Sequence, residues 1–363
     1  MKFNMPKYRE PSFDSEFFVN APDVVLEVVE KDGIAPANYH ALSVYPEYFK
    51  VNGKWVLATE SRMDTVAVVD DTEGSEKVSI VEFRNLKAGD KVAIGRTEDG
   101  SEGIYMYTGG FLADEVESDS FAFRSGRSRE TAYSIDYDNL YELLRFEREN
   151  NGFITWVVGS AVSLDKDARS ALEDIIRKGY VDAIFCGNNT AAIDLEMGVF
   201  KSAWGQEIFT HEQNTNNALY DTINLARSYG SLKKFTESGV VQDGFIKAAY
   251  DMDIPVVISA SIRDRFTLPD AQLDVYKAQD AMRAYTRKSS TIIMMSAILF
   301  TIASGNMTPS YNKFEDDIRP VYIYTVDIQE FAVNKLSDRG TLTATSIVTN
   351  AQDFLRNINR AVE

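Results

Sequence analysis

From Gly152 onward, short continuous apolar runs alternate with longer segments in which apolar residues recur at helical spacing. Runs that are apolar at every position indicate strands covered by helices on both faces. The predicted strands span 154–158, 181–185, 255–260, 291–295, 321–326 and 345–348. The predicted helices span 166–178, 216–238, 270–287, 329–336 and 352–362. This alternation predicts an α/β fold with a doubly wound, Rossmann-like parallel sheet.

The N-terminal part of the chain has a different pattern, in which short β-branched runs are separated by turn residues. The predicted strands span 24–29, 54–58, 65–69, 78–83 and 91–94, and Asn52-Gly53 predicts a hairpin turn. A chain of 363 residues also exceeds what one compact core usually supports. We therefore predict a smaller β-rich N-terminal domain over 1–110, a connector and helix over 111–150, and the Rossmann-like domain over 151–363.

The amino-acid composition argues against several classes of binding partner. Lys and Arg total 38 against 55 Asp and Glu, which gives a formal charge of −17. A surface this acidic repels phosphate backbones and anionic lipid, so we expect no nucleic acid and no membrane partner. One cysteine, Cys186, and two histidines, His40 and His211, argue against a metal site. Because the N-terminus lacks the apolar region of a secretory signal, a cytoplasmic location is expected.

Small and polar residues follow the predicted strands. In parallel sheets, ligands bind beyond the carboxyl ends of the strands, where glycines let backbone amides approach a pyrophosphate and an acidic residue binds ribose hydroxyls. The candidate cofactor-binding residues are Gly159, Ser160, Ala161, Gly187, Asn188, Asn189, Ser261, Ile262, Gly305, Asn306, Met307 and Asp327. The chain contains no GxGxxG motif. The loops together still predict a dinucleotide pocket, which Asp327 would make selective for NAD over NADP.

Several longer motifs carry a resemblance to a known family. They are Cys186-Gly187-Asn188-Asn189, Ser261-Ile262-Arg263-Asp264, Ala303-Ser304-Gly305-Asn306-Met307, Val326-Asp327-Ile328, Lys335-Leu336-Ser337-Asp338-Arg339-Gly340 and, nearer the N-terminus, Arg62-Met63-Asp64. In this order they resemble the LOR/SDH-region family, which includes archaeal-type ornithine cyclodeaminases and the C-terminal part of cyanobacterial arginine dihydrolase/ornithine cyclodeaminase. The resemblance spans nearly the whole chain. It implies bound NAD, a β-rich domain closing over the cofactor, and chemistry on an amino acid.

The chain departs from the family pattern at its histidines. Family imidazoles correspond to Leu164 and Ile193 here, and a histidine-rich stretch corresponds to 214–217, which contains asparagines. Imidazole is the natural proton carrier near neutral pH. We therefore expect an altered substrate and little or no ornithine cyclodeaminase activity. His211 lies close enough in sequence to enter the same crevice.

Candidate residues for amino-acid chemistry come from both parts of the chain. Arg263 or Arg62 is a candidate for the carboxylate clamp, and Asp264 or Asp64 for the base or ammonium partner. Alternatively, Arg263 and Asp264 form a local ion pair, and Asp64 is a turn residue. Two further candidates are Asp194, as a base if it is buried, and Asn38, as a substrate-binding residue.

These residues and the resemblance lead to one hypothesis and two alternatives. The hypothesis is an NAD-binding, amino-acid-processing enzyme of ornithine-cyclodeaminase type with an altered substrate. One alternative is a net NAD-dependent amino-acid or opine-type dehydrogenase, and the other is a catalytically degenerate nucleotide-binding homologue. A homo-oligomer is expected in each case.

Overall fold

The computed structural model describes residues 3–111, 129–203, 206–207, 218–314, 317–329 and 342–362. Five sequence predictions lie wholly or partly outside the described residues: the connector at 112–128, the helix over 329–336 beyond its first residue, the 335–340 motif, His211 and the asparagine stretch at 214–217. Within the described chain, no helix is both long and apolar enough to span a bilayer.

The N-terminal part is built from two antiparallel sheets. After a short helix α1 (Glu16–Asn20), its strands are β1 (Val25–Val28), β2 (Glu47–Val51), β3 (Lys54–Leu57), β4 (Thr65–Asp70), β5 (Lys77–Glu82), β6 (Lys91–Ile94) and β7 (Ile104–Met106). The strand orders are β1-β6-β4-β5 and β3-β2-β7. Asn52 and Gly53 have φ values of 52° and 76°, so the predicted hairpin turn is confirmed.

The C-terminal part alternates strands and helices. Its helices are α2 (Arg129–Glu149), α3 (Ser160–Leu164), α4 (Lys166–Arg177), α5 (Asn188–Phe200), α6 (Ala218–Tyr229), α7 (Leu232–Glu237), α8 (Phe245–Asp251), α9 (Val275–Thr286), α10 (Ile298–Met307) and α11 (Ala351–Ala361). Its strands are β8 (Ile154–Val158), β9 (Ala183–Gly187), β10 (Ser202–Ala203), β11 (Gln206–Glu207), β12 (Val256–Ser259), β13 (Thr291–Met295), β14 (Tyr311–Phe314), β15 (Asp317–Pro320), β16 (Tyr322–Asp327) and β17 (Ala344–Val348).

Six of these strands form one parallel sheet in the order β12-β9-β8-β13-β16-β17. Counted along the chain, this is the 3-2-1-4-5-6 order of dinucleotide-binding folds. The predicted fold class is therefore confirmed. The strand order reverses between β8 and β13, and such a switch point leaves a crevice at the carboxyl edge of the sheet.

Helices cover both faces of the sheet, as the continuous apolar runs predicted. Ile154, Ile184 and Ile258 belong to the larger core cluster, together with residues of α4, α5, α8 and α11. The alternate strand residues, such as Phe185 and Val257, pack on the other face against α9 and α10. Side chains alternate between the two faces along each strand, so these core contacts show on which face each strand residue lies. The same alternation determines which side chains at the strand ends face the crevice.

Two helix predictions differ from the structure because of backbone geometry. The segment 216–238 is interrupted at Gly230, which has a φ of 77°, and Ser231 then caps a second helix. The segment 270–287 begins its helix only at Val275, because Asp270 has a φ of 66° and Asp274 provides the N-cap.

A hairpin that the sequence did not predict joins the two parts of the chain. Strands β14 and β15 pair antiparallel after α10. The hydroxyl of the buried Tyr311 donates a hydrogen bond to the Ala58 carbonyl at 2.9 Å, and the Ser310 amide donates one to the Ser61 carbonyl at 3.0 Å. The N-terminal sheets are thereby held beside α9 and the hairpin.

Candidate functional site

The two strands at the switch point lie in unusually close contact at their carboxyl ends. The Gly159 amide donates a hydrogen bond to the Met295 carbonyl at 2.9 Å. A Cβ atom on Gly159 would lie 1.8 Å from the carbonyl oxygen of Ser296, so this position requires glycine. Ser296 itself has a φ of 51°, a left-handed conformation that non-glycine residues rarely adopt outside tight turns and functional sites.

Small residues line one face of this edge. On the face covered by α9 and α10, the positions at the ends of four adjacent strands are Ser259, Gly187, Gly159 and Ser296. A Cβ atom on Gly187 would have as its nearest neighbours a Phe300 ring carbon at 3.6 Å and Thr190 Oγ1 at 3.9 Å. The strand ends therefore carry no large side chain on this face across the switch point, and we call this edge of small residues the trough.

Three helices of the described chain begin at this trough without a side-chain cap. Gly159 precedes the short α3, Gly187 precedes α5 and Ala297 precedes α10, and none of these N-caps makes a side-chain hydrogen bond. The first backbone N–H groups of a helix lack intrahelical partners and carry partial positive charge. Uncapped N-termini at a sheet edge suit the anionic groups of a dinucleotide or a substrate.

The structure places the predicted cofactor residues 159–161, 187–189 and 261–262 at the carboxyl ends of β8, β9 and β12, respectively. Asn188 differs from the expected role, because its side chain faces the loop that leaves β12. Its amide nitrogen donates to the Phe266 carbonyl at 3.1 Å, and its oxygen accepts from the Leu268 amide at 2.8 Å. Asn188 therefore positions this loop.

Asp327 ends β16, on the β13 side of the switch point. One of its carboxylate oxygens accepts a hydrogen bond from the Gln329 amide at 3.0 Å. The other makes no hydrogen bond within the described chain. That oxygen remains available to a ribose hydroxyl.

The prediction of a polar loop at Gly305, Asn306 and Met307 is wrong. These residues form the last turn of α10, which runs back along the sheet from its carboxyl edge. The Met307 carbonyl accepts a hydrogen bond from Thr286, just before β13 begins, so this turn lies at the amino edge of the sheet. A helix of 10 residues is about 15 Å long, so these residues are remote from the trough.

The residues that the sequence interpretation missed are Ser296, Ala297, Ile298 and Leu299, which occupy the corresponding place after β13. The apolar run over 292–303 continues from strand to helix and hides the boundary between them. Ser296, the polar residue within that run, was the available signal. Leu299 is 82% exposed at the start of α10.

Arg263 and Asp264 lie in the loop after β12. The Asp264 carboxylate accepts a hydrogen bond from the Ser261 amide at 2.7 Å and so shapes the loop itself. The Arg263 guanidinium is exposed and forms no ion pair within the described chain. The alternative of a local Arg263–Asp264 ion pair is therefore wrong, and Arg263 is free to bind an anion.

Arg62 and the other N-terminal candidates lie elsewhere. Arg62 is buried and donates to Glu60 and Glu82, both at 3.1 Å, beside the α9 residue Arg283. Its charge is already neutralised, which argues against a carboxylate clamp. Asp64 is an exposed turn residue with a φ of 60°, and Asn38 is exposed with a φ of 57°.

Asp194 is fully buried in α5 and belongs to an ion pair. Its carboxylate accepts from Arg169 Nε at 2.6 Å and from the Ile246 amide at 3.0 Å. Burial raises the pKa of Asp194, whereas the Arg169 guanidinium opposes that rise. With both contacts supplied by the protein, the geometry favours a structural role.

A buried hydrogen bond joins His40 to Glu47, and the His40 Nε2 and Glu47 Oε2 atoms are 2.6 Å apart. Ligand atoms of His40, Glu47 and Glu98 lie within 4.8 Å of one another. However, the remaining Glu47 oxygen accepts from the Ser43 amide at 2.6 Å, so both oxygens of Glu47 already have protein partners. The contacts of Glu47 therefore favour a structural role for this group.

Comparison with known proteins matches this fold to one group. Residues 139–358 match the family model described as "Arginine dihydrolase ArgZ-like, C-terminal, Rossmann fold". An ornithine cyclodeaminase from Methanocaldococcus jannaschii is 31% identical over 342 residues, covering 92% of this chain and 76% of that protein. The bifunctional arginine dihydrolase/ornithine cyclodeaminase AgrE from Nostoc is 29% identical over 94% of this chain, which spans 47% of AgrE.

Solved structures agree with the sequence relatives. The crystal structure of a LOR/SDH protein from Methanococcus maripaludis aligns with a TM-score of 0.78 and 28% identity, covering 95% of this chain and 98% of that one. The ternary complex of AgrE with ornithine and NAD+ aligns with a TM-score of 0.58 and 28% identity, covering 94% of this chain and 46% of that one.

Proposed function

Since the chain belongs to the ArgZ-like family with a C-terminal Rossmann domain, we propose that it is an NAD-dependent enzyme that acts on an amino acid and has an altered substrate. The observation that carries this proposal is the trough of small residues at the β8/β13 switch point, flanked by the uncapped N-termini of α5 and α10. AgrE, of which 46% aligns with this chain, has been crystallised with ornithine and NAD+.

The strand ends suggest how NAD lies in the trough. Asp327, on the β13 side, would accept hydrogen bonds from ribose hydroxyls and would repel a 2′-phosphate. The pyrophosphate would lie near Gly159 and the N-terminus of α10, where backbone N–H groups approach without an intervening side chain. The other end of the dinucleotide would then extend over Gly187 toward β12.

Bound NAD would supply a hydride acceptor for oxidation of a carbon–nitrogen bond. The protein would orient the amino acid, and Arg263 is the proposed partner for an anionic group of the substrate because it is exposed and unpaired in the described chain. Asp264 is the proposed ammonium partner, although one of its oxygens holds its own loop.

An altered substrate is favoured by what replaces the family's imidazoles. Ile193 is fully buried in α5, where it packs with Met197 and Leu219. Leu164 ends α3 and is 37% exposed. Neither side chain can carry a proton, and general acid–base catalysis contributes about 10²- to 10⁴-fold to rates.

The experiment is incubation of the purified protein with ornithine and NAD while proline, ammonia and NADH absorbance are followed together. The proposal predicts tight NAD binding with near-background formation of proline. Rapid, equal formation of proline and ammonia would contradict the altered substrate. Net NADH formation with another amino acid would favour the dehydrogenase alternative, whereas bound NAD without turnover over a broad panel would favour the degenerate homologue.

A further inference from the structure

Two hydroxyl groups beside the N-terminus of α5 have no hydrogen-bond partner. Ser259 is 9% exposed, and its Oγ atom is buried without a partner in the described chain. Thr190 is 5% exposed, and within the same residues its Oγ1 atom makes no hydrogen bond. A buried hydroxyl without a partner costs about 1–3 kcal/mol, so the Ser259 hydroxyl calls for an explanation.

The strand geometry directs Ser259 toward Gly187. These residues are register partners in the parallel pair β12–β9. Because Val257 packs on the α9/α10 face and side chains alternate along a strand, Ser259 faces the same side. Gly187 has no side chain on that face. A Cβ atom added to Gly187 would lie 3.9 Å from Thr190 Oγ1. The two hydroxyls therefore lie on either side of the same glycine.

The position beside Gly187 has the polarity that an anion requires. It lies at the start of α5, a helix of 13 residues whose N-cap, Gly187, provides no side-chain acceptor. The first N–H groups of the helix and two hydroxyl donors converge there. Arg263, on the loop that leaves the same strand β12, brings a free guanidinium to the same edge.

We infer that Ser259 and Thr190, together with the N-terminus of α5, form the subsite that binds the carboxylate of an α-amino acid substrate. This inference rests on the proposed function, since NAD over Gly187 places its reactive end beside this subsite. Carboxylate oxygens accept hydrogen bonds readily from hydroxyl and backbone donors. The subsite lies beyond the switch point, on the side away from Asp327.

The test uses the NAD-loaded protein and calorimetric titration with L-ornithine, L-lysine, L-glutamate and L-alanine, with putrescine as the decarboxylated counterpart of ornithine. The variants are Ser259→Ala and Thr190→Val, and the latter keeps the branched shape of threonine. Ser304→Ala is the matched control, because Ser304 also has a buried, unpartnered hydroxyl but lies within α10.

At least one of the amino acids should bind the wild-type protein, and putrescine should bind far more weakly than ornithine if ornithine is that ligand. Each of the two variants should weaken amino-acid binding about tenfold or more, while NAD affinity and the control stay unchanged. The melting temperature of ligand-free Ser259→Ala should be equal to or above that of the wild type, because an unsatisfied hydroxyl has been removed.

Three results would overturn the subsite. The first is unchanged amino-acid binding in both variants. The second is a loss of NAD affinity equal to the loss of amino-acid affinity, which would assign the hydroxyls to the dinucleotide's phosphates. The third is a wild-type protein that binds NAD but none of the four amino acids. A wild-type protein that does not bind NAD would instead contradict the proposed function.

Discussion

Gly159 approaches Ser296 so closely that a Cβ atom on the glycine would lie 1.8 Å from the serine carbonyl oxygen. The contact joins the ends of the two central strands of the sheet, where the strand order reverses. Any side chain there must push β8 and β13 apart, and the trough proposed to hold the dinucleotide crosses that junction.

Replacing Gly159 by alanine should therefore reduce both stability and NAD affinity, because the clash is with backbone and cannot be relieved by a side-chain rotation. Gly187→Ala is the matched control for folding, since its nearest neighbours are 3.6 Å away and its φ of −77° suits alanine. Thermal unfolding of both variants checks this. Equal melting temperatures for the Gly159→Ala and Gly187→Ala variants would contradict this prediction, because they would show that β8 and β13 separate at little cost.

Asp327 should determine the preference for NAD over NADP. Its free carboxylate oxygen would bind ribose hydroxyls, so Asp327→Asn should weaken NAD binding about tenfold and reduce discrimination against NADP. Asp317→Asn, an exposed aspartate of β15, is the control. Tighter binding of NADP than of NAD by the wild-type protein would contradict this role.

Replacing Asp194 should lower the stability of the fold instead of selectively removing activity. Asp194→Asn breaks a buried ion pair with Arg169 and should cost about 3 kcal/mol or more in the free energy of unfolding. The control is Asp167→Asn, which removes a surface ion pair with Arg356 at 3.7 Å and should cost less than about 1 kcal/mol. Denaturant titration measures both, and lost turnover at unchanged stability would make Asp194 a catalytic base after all.

Glu76 should give the N-terminal sheets a pH-dependent contribution to stability. Hydrogen bonds from its own amide and that of Gly74 lower the pKa of Glu76 to about 2, and Asn52 and Lys54 add to the effect. A carboxylate with a lowered folded-state pKa stabilises fully above its unfolded pKa of about 4.3 and loses that contribution as pH falls toward 2.

The melting-temperature difference between the wild type and Glu76→Gln should therefore be constant near neutral pH and shrink below about pH 4.3. Glu73→Gln, at an exposed position in the same turn, should show little difference at any pH. A Glu76→Gln difference that grows on acidification would refute the assignment.

The fold class and the polar residues at the carboxyl edge of the sheet could be predicted from the sequence, because apolar runs and turn residues are local signals. Strand limits agree closely, as at 154–158 and 291–295. The strand order depends on which distant segments pair, and no local pattern contains it. The domain limits at 110 and 150 stay predictions.

The site residues were predicted less well because their roles depend on side-chain direction. Asn188 has the residue type of a ligand-binding position, yet its amide is used by Phe266 and Leu268. Gly305 follows an apolar run that hides the strand–helix boundary at Ser296. Ser259 could not be identified from the sequence, because only the pairing of β12 with β9 places it beside Gly187.

The most direct test of the account is calorimetric titration of NAD into the wild-type protein and the Gly187→Val variant. The account predicts binding at one site per chain in the wild type. A valine at position 187, over which the dinucleotide is proposed to extend, would add two methyl groups beside Phe300 and should weaken NAD affinity at least tenfold while the far-ultraviolet circular dichroism spectrum stays the same. Equal NAD affinity in the two proteins, with both folded, would contradict a dinucleotide site in this trough.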